Sequence, residues 1–139
     1  MKKILLILSI SFMFGCEDEI SNKIPAFEAR VNGNSDWVAE NYSATIQNNQ
    51  LSISGNNQFG AISMVINSPE PSQYNLYSWT DNFAVFQDTL QYSTQNDGIG
   101  SVAFLSDGFL DITEIDNTNN TISGNFHFDA YNGTGEYTI

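Results

Sequence analysis

Over residues 121–130 apolar and polar positions alternate without a break. Ile122, Gly124, Phe126, Phe128 and Ala130 fall on one side; Thr121, Ser123, Asn125, His127 and Asp129 fall on the other. A period of two marks a strand with one face in a core and the other in water. The pattern recurs in Phe27, Ala29 and Val31; in Tyr42, Ala44 and Ile46; in Leu51 and Ile53; and in Ile62, Met64 and Ile66. Shorter versions appear at Tyr74 and Leu76, at residues 83–86 and 90–92, at Val102 and Phe104, at Leu110 and Ile112, and from Glu136 to the end.

Turn chemistry separates these runs. Asn32-Gly33, Asn48-Asn49, residues 55–58, Asn67-Ser68-Pro69, Asp107-Gly108, Asp116-Asn117-Thr118-Asn119-Asn120 and Asn132-Gly133 each place residues that tolerate positive φ, or break a ladder, between two alternating segments. After Cys16 no stretch shows the 3.6-residue apolar period of a helix. The expected fold is therefore all-β: a single antiparallel β-sandwich or flattened β-barrel of about eight to ten short strands. Alternation alone does not choose between the two closures.

The front of the chain reads differently. Lys2 and Lys3 precede a run over residues 4–14 that is apolar but for Ser9 and Ser11, which is signal-peptide length and too short to cross a bilayer. Gly15 then stands directly before Cys16, the one cysteine of the chain. Met13-Phe14-Gly15-Cys16 resembles a bacterial lipobox, although Phe14 is bulkier than the usual residue there. The resemblance implies that the Cys16 thiol receives a diacylglyceryl group and that Cys16, after cleavage, becomes the acylated N-terminus. Two or three acyl chains, at about 0.8 kcal/mol for each buried methylene, anchor a protein stably. The acidic triplet Glu17, Asp18 and Glu19 resembles the export signal that carries Bacteroidota lipoproteins to the outer face of the outer membrane; its plain reading is a solvated tether. The organisation expected is a signal peptide over 1–15, an acylated cysteine and flexible tether over 16–25, and an all-β domain over 26–139.

Charge excludes some partners. The full chain carries a net charge of −12, and loss of residues 1–15 removes two lysines, leaving Lys23 and Arg30 against sixteen acids. Binding to phosphate needs Lys and Arg to displace counterions, so nucleic acid and anionic membrane surfaces are not expected partners.

The order Phe27-x-Ala29-x-Val31-Asn32-Gly33-x3-Trp37, Leu51-x-Ile53-x-Gly55, Tyr74-x-Leu76, Tyr92-Ser93-Thr94 and Ile122-Ser123-Gly124-x-Phe126-x-Phe128 resembles a family of small uncharacterised all-β lipoproteins of Bacteroidota. The resemblance implies a lipid-anchored surface or periplasmic protein without an assigned activity, so it supplies no catalytic residues. The family usually continues past Tyr137-Thr138-Ile139 with a further Gly-x-Phe strand, so this chain either lacks a final edge strand or pairs that edge differently.

Chemistry for catalysis is scarce. His127 is the one histidine, and alternation places it on the polar face of its strand. Asp107, Asp111 and Asp116 lie on or near expected turns, where local hydrogen bonding accounts for them better than a glycosidase pair. No catalytic residue, no metal ligand set and no cofactor is expected. The Asp116-Asn117-Thr118-Asn119-Asn120 loop lacks the central glycine and closing glutamate of an oxygen-ligand calcium loop and reads as a hairpin turn.

One stretch favours binding. Tyr74, Tyr77, Trp79, Phe83, Phe86 and Tyr92 are mixed with Asp81, Asn82 and other carboxylate and amide residues. Flat rings beside such groups match a sugar, which has apolar C–H faces and a polar rim. The candidate ligand-binding residues are Tyr77, Trp79, Asp81, Asn82 and Tyr92; the competing reading places these aromatics in the core. The function expected is a non-enzymatic, membrane-anchored surface lipoprotein binding a glycan or another extracellular ligand. The alternative is a structural or accessory subunit of an outer-membrane protein assembly, using an unpaired β-edge near the C-terminus.

Overall fold

The structure, a computed structural model, describes residues 24–33, 35–99, 104–133 and 137–138. The leader, Cys16, the acids Glu17, Asp18 and Glu19, the tether up to Lys23, and Val102, Glu136 and Ile139 lie outside the described residues.

Eleven strands and no helix form within them. β1 (Glu28–Val31) and β2 (Ser35–Val38) make a two-stranded sheet. β3 (Asn41–Gln47), β4 (Gln50–Asn57) and β5 (Gly60–Asn67) follow as an antiparallel meander. β6 (Gln73–Asn75) leaves it, and β7 (Phe83–Gln87) and β8 (Gln91–Ser93) return to extend it from β5. β9 (Asp107–Asp116) and β10 (Thr121–Tyr131) form the longest hairpin, and β11 (Tyr137–Thr138) pairs with the end of β10.

The main sheet runs β3-β4-β5-β7-β8-β10-β9-β6, with β11 off that path on β10. β3 and β6 stand at opposite ends, so the sheet is open and sandwich-like, not closed into a barrel. Its two halves meet at one pair, Tyr131 with Ser93. Leu51, Ile62, Met64, Ile66, Ala84 and Phe86 from β4, β5 and β7 share one core with Leu110, Ile112, Phe128 and Ala130 from β9 and β10. Leu76, just after β6, and Trp37 of the small sheet complete it. Each large apolar side chain buried there contributes about 1.5–3 kcal/mol.

Alternation locates most of these strands, and close packing moves two expected turns. Of the turn expected over residues 55–58, only Gln58 turns, together with Phe59; β4 continues through Asn57. The ring of Phe27 lies over Gly55, where a Cβ would collide with it, so this glycine serves close approach inside a strand. Asp107-Gly108 likewise opens β9 instead of a turn, because Gly108 passes tight against the carbonyl of His127 and the Cβ of Phe128. Asp111 therefore lies inside a strand, and Asp107 begins one. Phe104, expected in a strand, makes only a single bridge with Gly98.

β9 contains a bulge that the sequence explains afterwards. Ile112 pairs with Gly124 and Glu114 with Ser123, so Thr113 is the extra residue. The skip keeps Ile115 opposite Ile122, and both pack against the core. The last tether residue is also tied down: Pro25 accepts a hydrogen bond from the Tyr42 hydroxyl at 2.7 Å.

Candidate functional site

The connection between β6 and β7 carries four of the five candidate binding residues. Thr80 organises it: its Oγ1 accepts from the amide of Tyr77 at 3.1 Å and lies 2.9 Å from the carbonyls of Tyr77 and Asn82, to which its hydroxyl donates. This closes a tight loop and brings the rings of Tyr77 and Trp79 together, with centroids 4.8 Å apart and planes tilted by 39°. Trp79 is 65 % exposed. Ser78, between them, donates to the Asp97 carboxylate at 2.9 Å, and the same carboxylate accepts from the amide of Ser106 at 2.9 Å. The aromatic pair therefore stands on a loop fixed from two sides.

Asp81 and Asn82 follow on the same loop with different tasks. The Asn82 side chain accepts from the amide of Asn67 at 2.9 Å, which docks the loop on the end of β5. The backbone carbonyl of Asp81 accepts from the side chain of Asn67 at 3.4 Å, and its carboxylate faces solvent. Asn67 also borders a shallow hollow of about 230 Å³ lined by Thr45, Gln47, Asn48, Gln50, Ser52 and Asn67. Every one of those side chains is a hydroxyl or an amide, in a chain with sixteen acids.

Tyr92 lies apart from this loop. It sits on β8 opposite Phe86, with ring centroids 6.3 Å apart, and packs against the core. The other aromatics of the stretch divide between the two readings. Phe86 is core; Tyr74 packs on the core while its hydroxyl holds the turn at Ser68 and Glu70. Only the Tyr77–Trp79 pair presents an exposed indole.

Sequence reasoning missed one feature near this loop. Ile99, Phe104 and Leu105 are all exposed, and they flank the same Asp97 and Ser106 pair that anchors Ser78. Phe104, with Val102, reads as strand, and no local signal marks Ile99 or Leu105 as surface. His127, on the outer face of β10 as expected, lies with its Nε2 3.7 Å from the Asp129 carboxylate. The carboxylate of Asp116 is engaged by its own turn, accepting from the amides of Thr118 and Asn119 and from the Asn119 side chain.

A family model described as a domain of unknown function, DUF6252, matches residues 23–139. The chain belongs to the DUF6252 family. The match covers all eleven strands. No curated protein and no solved structure matches the chain.

In this DUF6252 domain, the Tyr92-Ser93-Thr94 motif supports the candidate site from below. Thr94 is fully buried. Its Oγ1 accepts from the amide of Ala84 at 3.0 Å, and its own amide donates to the carbonyl of Ala84 at 3.0 Å. The Ser106 hydroxyl donates to the Thr94 carbonyl, which links the end of β8 to the start of β9 and to Asp97. Buried polar groups of this kind are stable only when satisfied, so the network fixes the loop that carries Tyr77 and Trp79.

Proposed function

We propose that this DUF6252 protein is a non-enzymatic lipoprotein of the outer-membrane surface that binds a neutral glycan. Anchoring is through acylated Cys16, with Glu17, Asp18 and Glu19 as the export signal. The observation that carries the binding reading is the Tyr77–Trp79 pair, an exposed indole on a loop held by Thr80 and Asp97. An indole face takes the C–H face of a sugar, and the Asp81 carboxylate and the uncharged hollow bordered by Asn67 are hydrogen-bonding groups near the loop's anchor on Asn67.

A glycan-array screen of the full chain against Trp79→Ala tests this. Trp79 is exposed, so the variant folds; the expected result is a glycan signal lost in folded Trp79→Ala. No signal from folded wild type ends the glycan reading. The anchor has its own test, in which Cys16→Ser loses lipid labelling and is released from membranes; retention without label ends the lipoprotein reading.

A second reading, an accessory subunit of an outer-membrane assembly, is favoured by one observation: apart from its ladder with β9, β10 is paired only at its end, by β11 and by β8 at Tyr131, among the described residues.

A further inference from the structure

The two halves of the main sheet turn different faces outward. Side chains alternate along β5 and β7, so Ile62, Met64, Ile66, Ala84 and Phe86 enter the core and the residues between them point away from it. Register carries that outer face across the meander: Phe83, Val65, Ser52 and Thr45 form one row, and Asn67, Gln50 and Gln47 form the next. No residue from Asn41 to Pro69 is charged, nor is any on β7 or β8, in a chain with sixteen acids. Asp81 and Asp88 stand at the borders, in the connections before and after β7. The outer face of β9 and β10 is the reverse, with Asp107 opposite Asp129, Asp111 opposite Asn125, Glu114 opposite Ser123, and His127 among them.

A solvated protein surface ordinarily mixes in charged side chains, which keep it from associating. On the β3–β7 face charge is left out and hydrogen-bonding capacity is kept. Cross-strand bonds hold several of its groups: the Ser43 and Ser54 hydroxyls share one at 3.1 Å, and the Gln50 amide donates to the Asn67 side chain at 3.0 Å. A hydroxyl offers one donor and two acceptor sites, and an amide two donors and an accepting oxygen, so one such bond leaves capacity for a ligand. The two rows wall the hollow of about 230 Å³, and half-buried Val65 and Phe83 continue the row of Ser52 as an apolar strip.

That combination selects a ligand class. An anionic polymer finds no Lys or Arg on this face, and the acidic remainder of the chain repels it. A protein partner needs an apolar interface core, which a field of hydroxyls and amides does not supply. A pyranose chain matches the face, with hydroxyls along its rim, C–H groups on its flat sides and no charge. We propose that the outer face of β3, β4, β5 and β7 is an extended bed for a neutral polysaccharide, holding several consecutive sugars across the strands. With neighbouring strands about 4.8 Å apart, the four span roughly 14 Å. Asn67 joins the bed to the aromatic loop, accepting from Gln50 and donating to the carbonyl of Asp81, two residues after Trp79. The assignment rests on the glycan reading and deepens it, from a sugar at one indole to a polymer across a sheet.

Affinity gel electrophoresis of the full chain tests it, with dextran, galactomannan and xyloglucan as neutral probes and polygalacturonate as the acidic one. At least one neutral polymer is expected to retard the protein, and polygalacturonate to leave it unretarded. Ser52→Glu and Thr45→Glu each place a charge at an exposed position of the bed, so both fold, which near-native melting temperatures check. Both are expected to bind at least about tenfold more weakly, because the ligand then covers a charge that has no partner. Gln73→Glu adds the same charge on β6, in the other half of the sheet, and binds as wild type does. By calorimetry, an octasaccharide of the retarding polymer binds at least about tenfold more tightly than its trisaccharide.

The outcomes separate the bed from the indole site. If Ser52→Glu and Thr45→Glu bind like wild type while Trp79→Ala does not, the sugar sits at the indole alone and the bed falls. If Trp79→Ala binds like wild type while the two charged variants fail, the bed stands and the indole site falls. Equal retardation by polygalacturonate, or equal affinity for trisaccharide and octasaccharide, overturns the bed. No retardation of folded wild type by any neutral polymer also overturns it, and the glycan array then decides alone whether Trp79 takes a shorter sugar.

Discussion

The meander of β3, β4 and β5 and the stretch from residue 68 to 106 face the same demand, that buried backbone groups find partners, and meet it in different ways. In the meander the register runs without a break from Asn41 opposite Asn56 to Gln50 opposite Asn67, and backbone bonds backbone. In the later stretch, side chains hold the backbone: the Tyr74 hydroxyl holds residues 68 and 70, Thr80 closes its own loop, Asn82 caps β5, and Thr94 completes the ladder for Ala84. A ladder needs only alternation and turns. A side-chain scaffold needs particular atoms at particular positions, and it frees the backbone to leave the sheet and present Trp79 and Ile99 to solvent.

The contrast predicts different responses to mutation, the largest in the meander. Leu51 is fully buried between Ile46 and Ile66 in the ladder, so Leu51→Ala is expected to cost about 2–5 kcal/mol and to lower the melting temperature of the whole domain. Denaturant unfolding followed separately by tryptophan fluorescence and far-UV circular dichroism checks it. Coincident, shifted transitions fit a single core; separate transitions would show that the two regions unfold independently and break the comparison at its root.

The second test is in the scaffold. Thr94→Val keeps volume and apolar contact but leaves the buried amide of Ala84 without its acceptor, at an expected cost of about 1–3 kcal/mol. Amide exchange at Ala84 and in residues 76–82 is expected to rise more than exchange in the meander. A cost indistinguishable from that of an exposed substitution would show that the Thr94 hydroxyl is incidental to the loop.

The same contrast explains what the sequence discloses. Period-two alternation made β4, β5 and β10 readable, because half-buried ladders impose that pattern directly; β3 alternates as well, yet all seven of its residues are exposed, Tyr42 and Ile46 among them, so there the pattern marks the strand but not a core face. The turns expected at Gly55 and Gly108 were misplaced because a glycine marks a turn and a close approach with the same residue, and only packing shows Phe27 over the first and His127 over the second. Tyr77, Trp79, Asp81 and Asn82 were singled out by composition, since aromatics and amides crowd a stretch that alternates poorly, and the structure sets all four on one loop. Tyr92 was included for the same reason, yet it belongs against Phe86, because its position on β8 opposite a core residue is a matter of register.

The smallest expected effect asks whether burial or bond type sets these magnitudes. Asp116 bonds the backbone as Thr94 does, accepting from two amides and from the Asn119 side chain, but at the exposed turn of the β9–β10 hairpin. Those bonds, led by the one from the Asn119 side chain, hold its carboxyl below the ordinary aspartate value. A depressed folded-state pKa contributes stability that is fully present above the unfolded value and is lost as pH falls through the folded one. Water competes for every partner here, so Asp116→Asn is expected to cost far less at neutral pH than Thr94→Val, and the difference from wild type should vanish in acid. Carboxyl-carbon NMR titration of Asp116 together with pH-dependent unfolding of the two proteins measures both. If Asp116→Asn proved as costly as Thr94→Val, then local geometry, not exclusion of water, would set the strength of such bonds, and the scaffold around Trp79 would owe its firmness to the number of its hydrogen bonds and not to their burial.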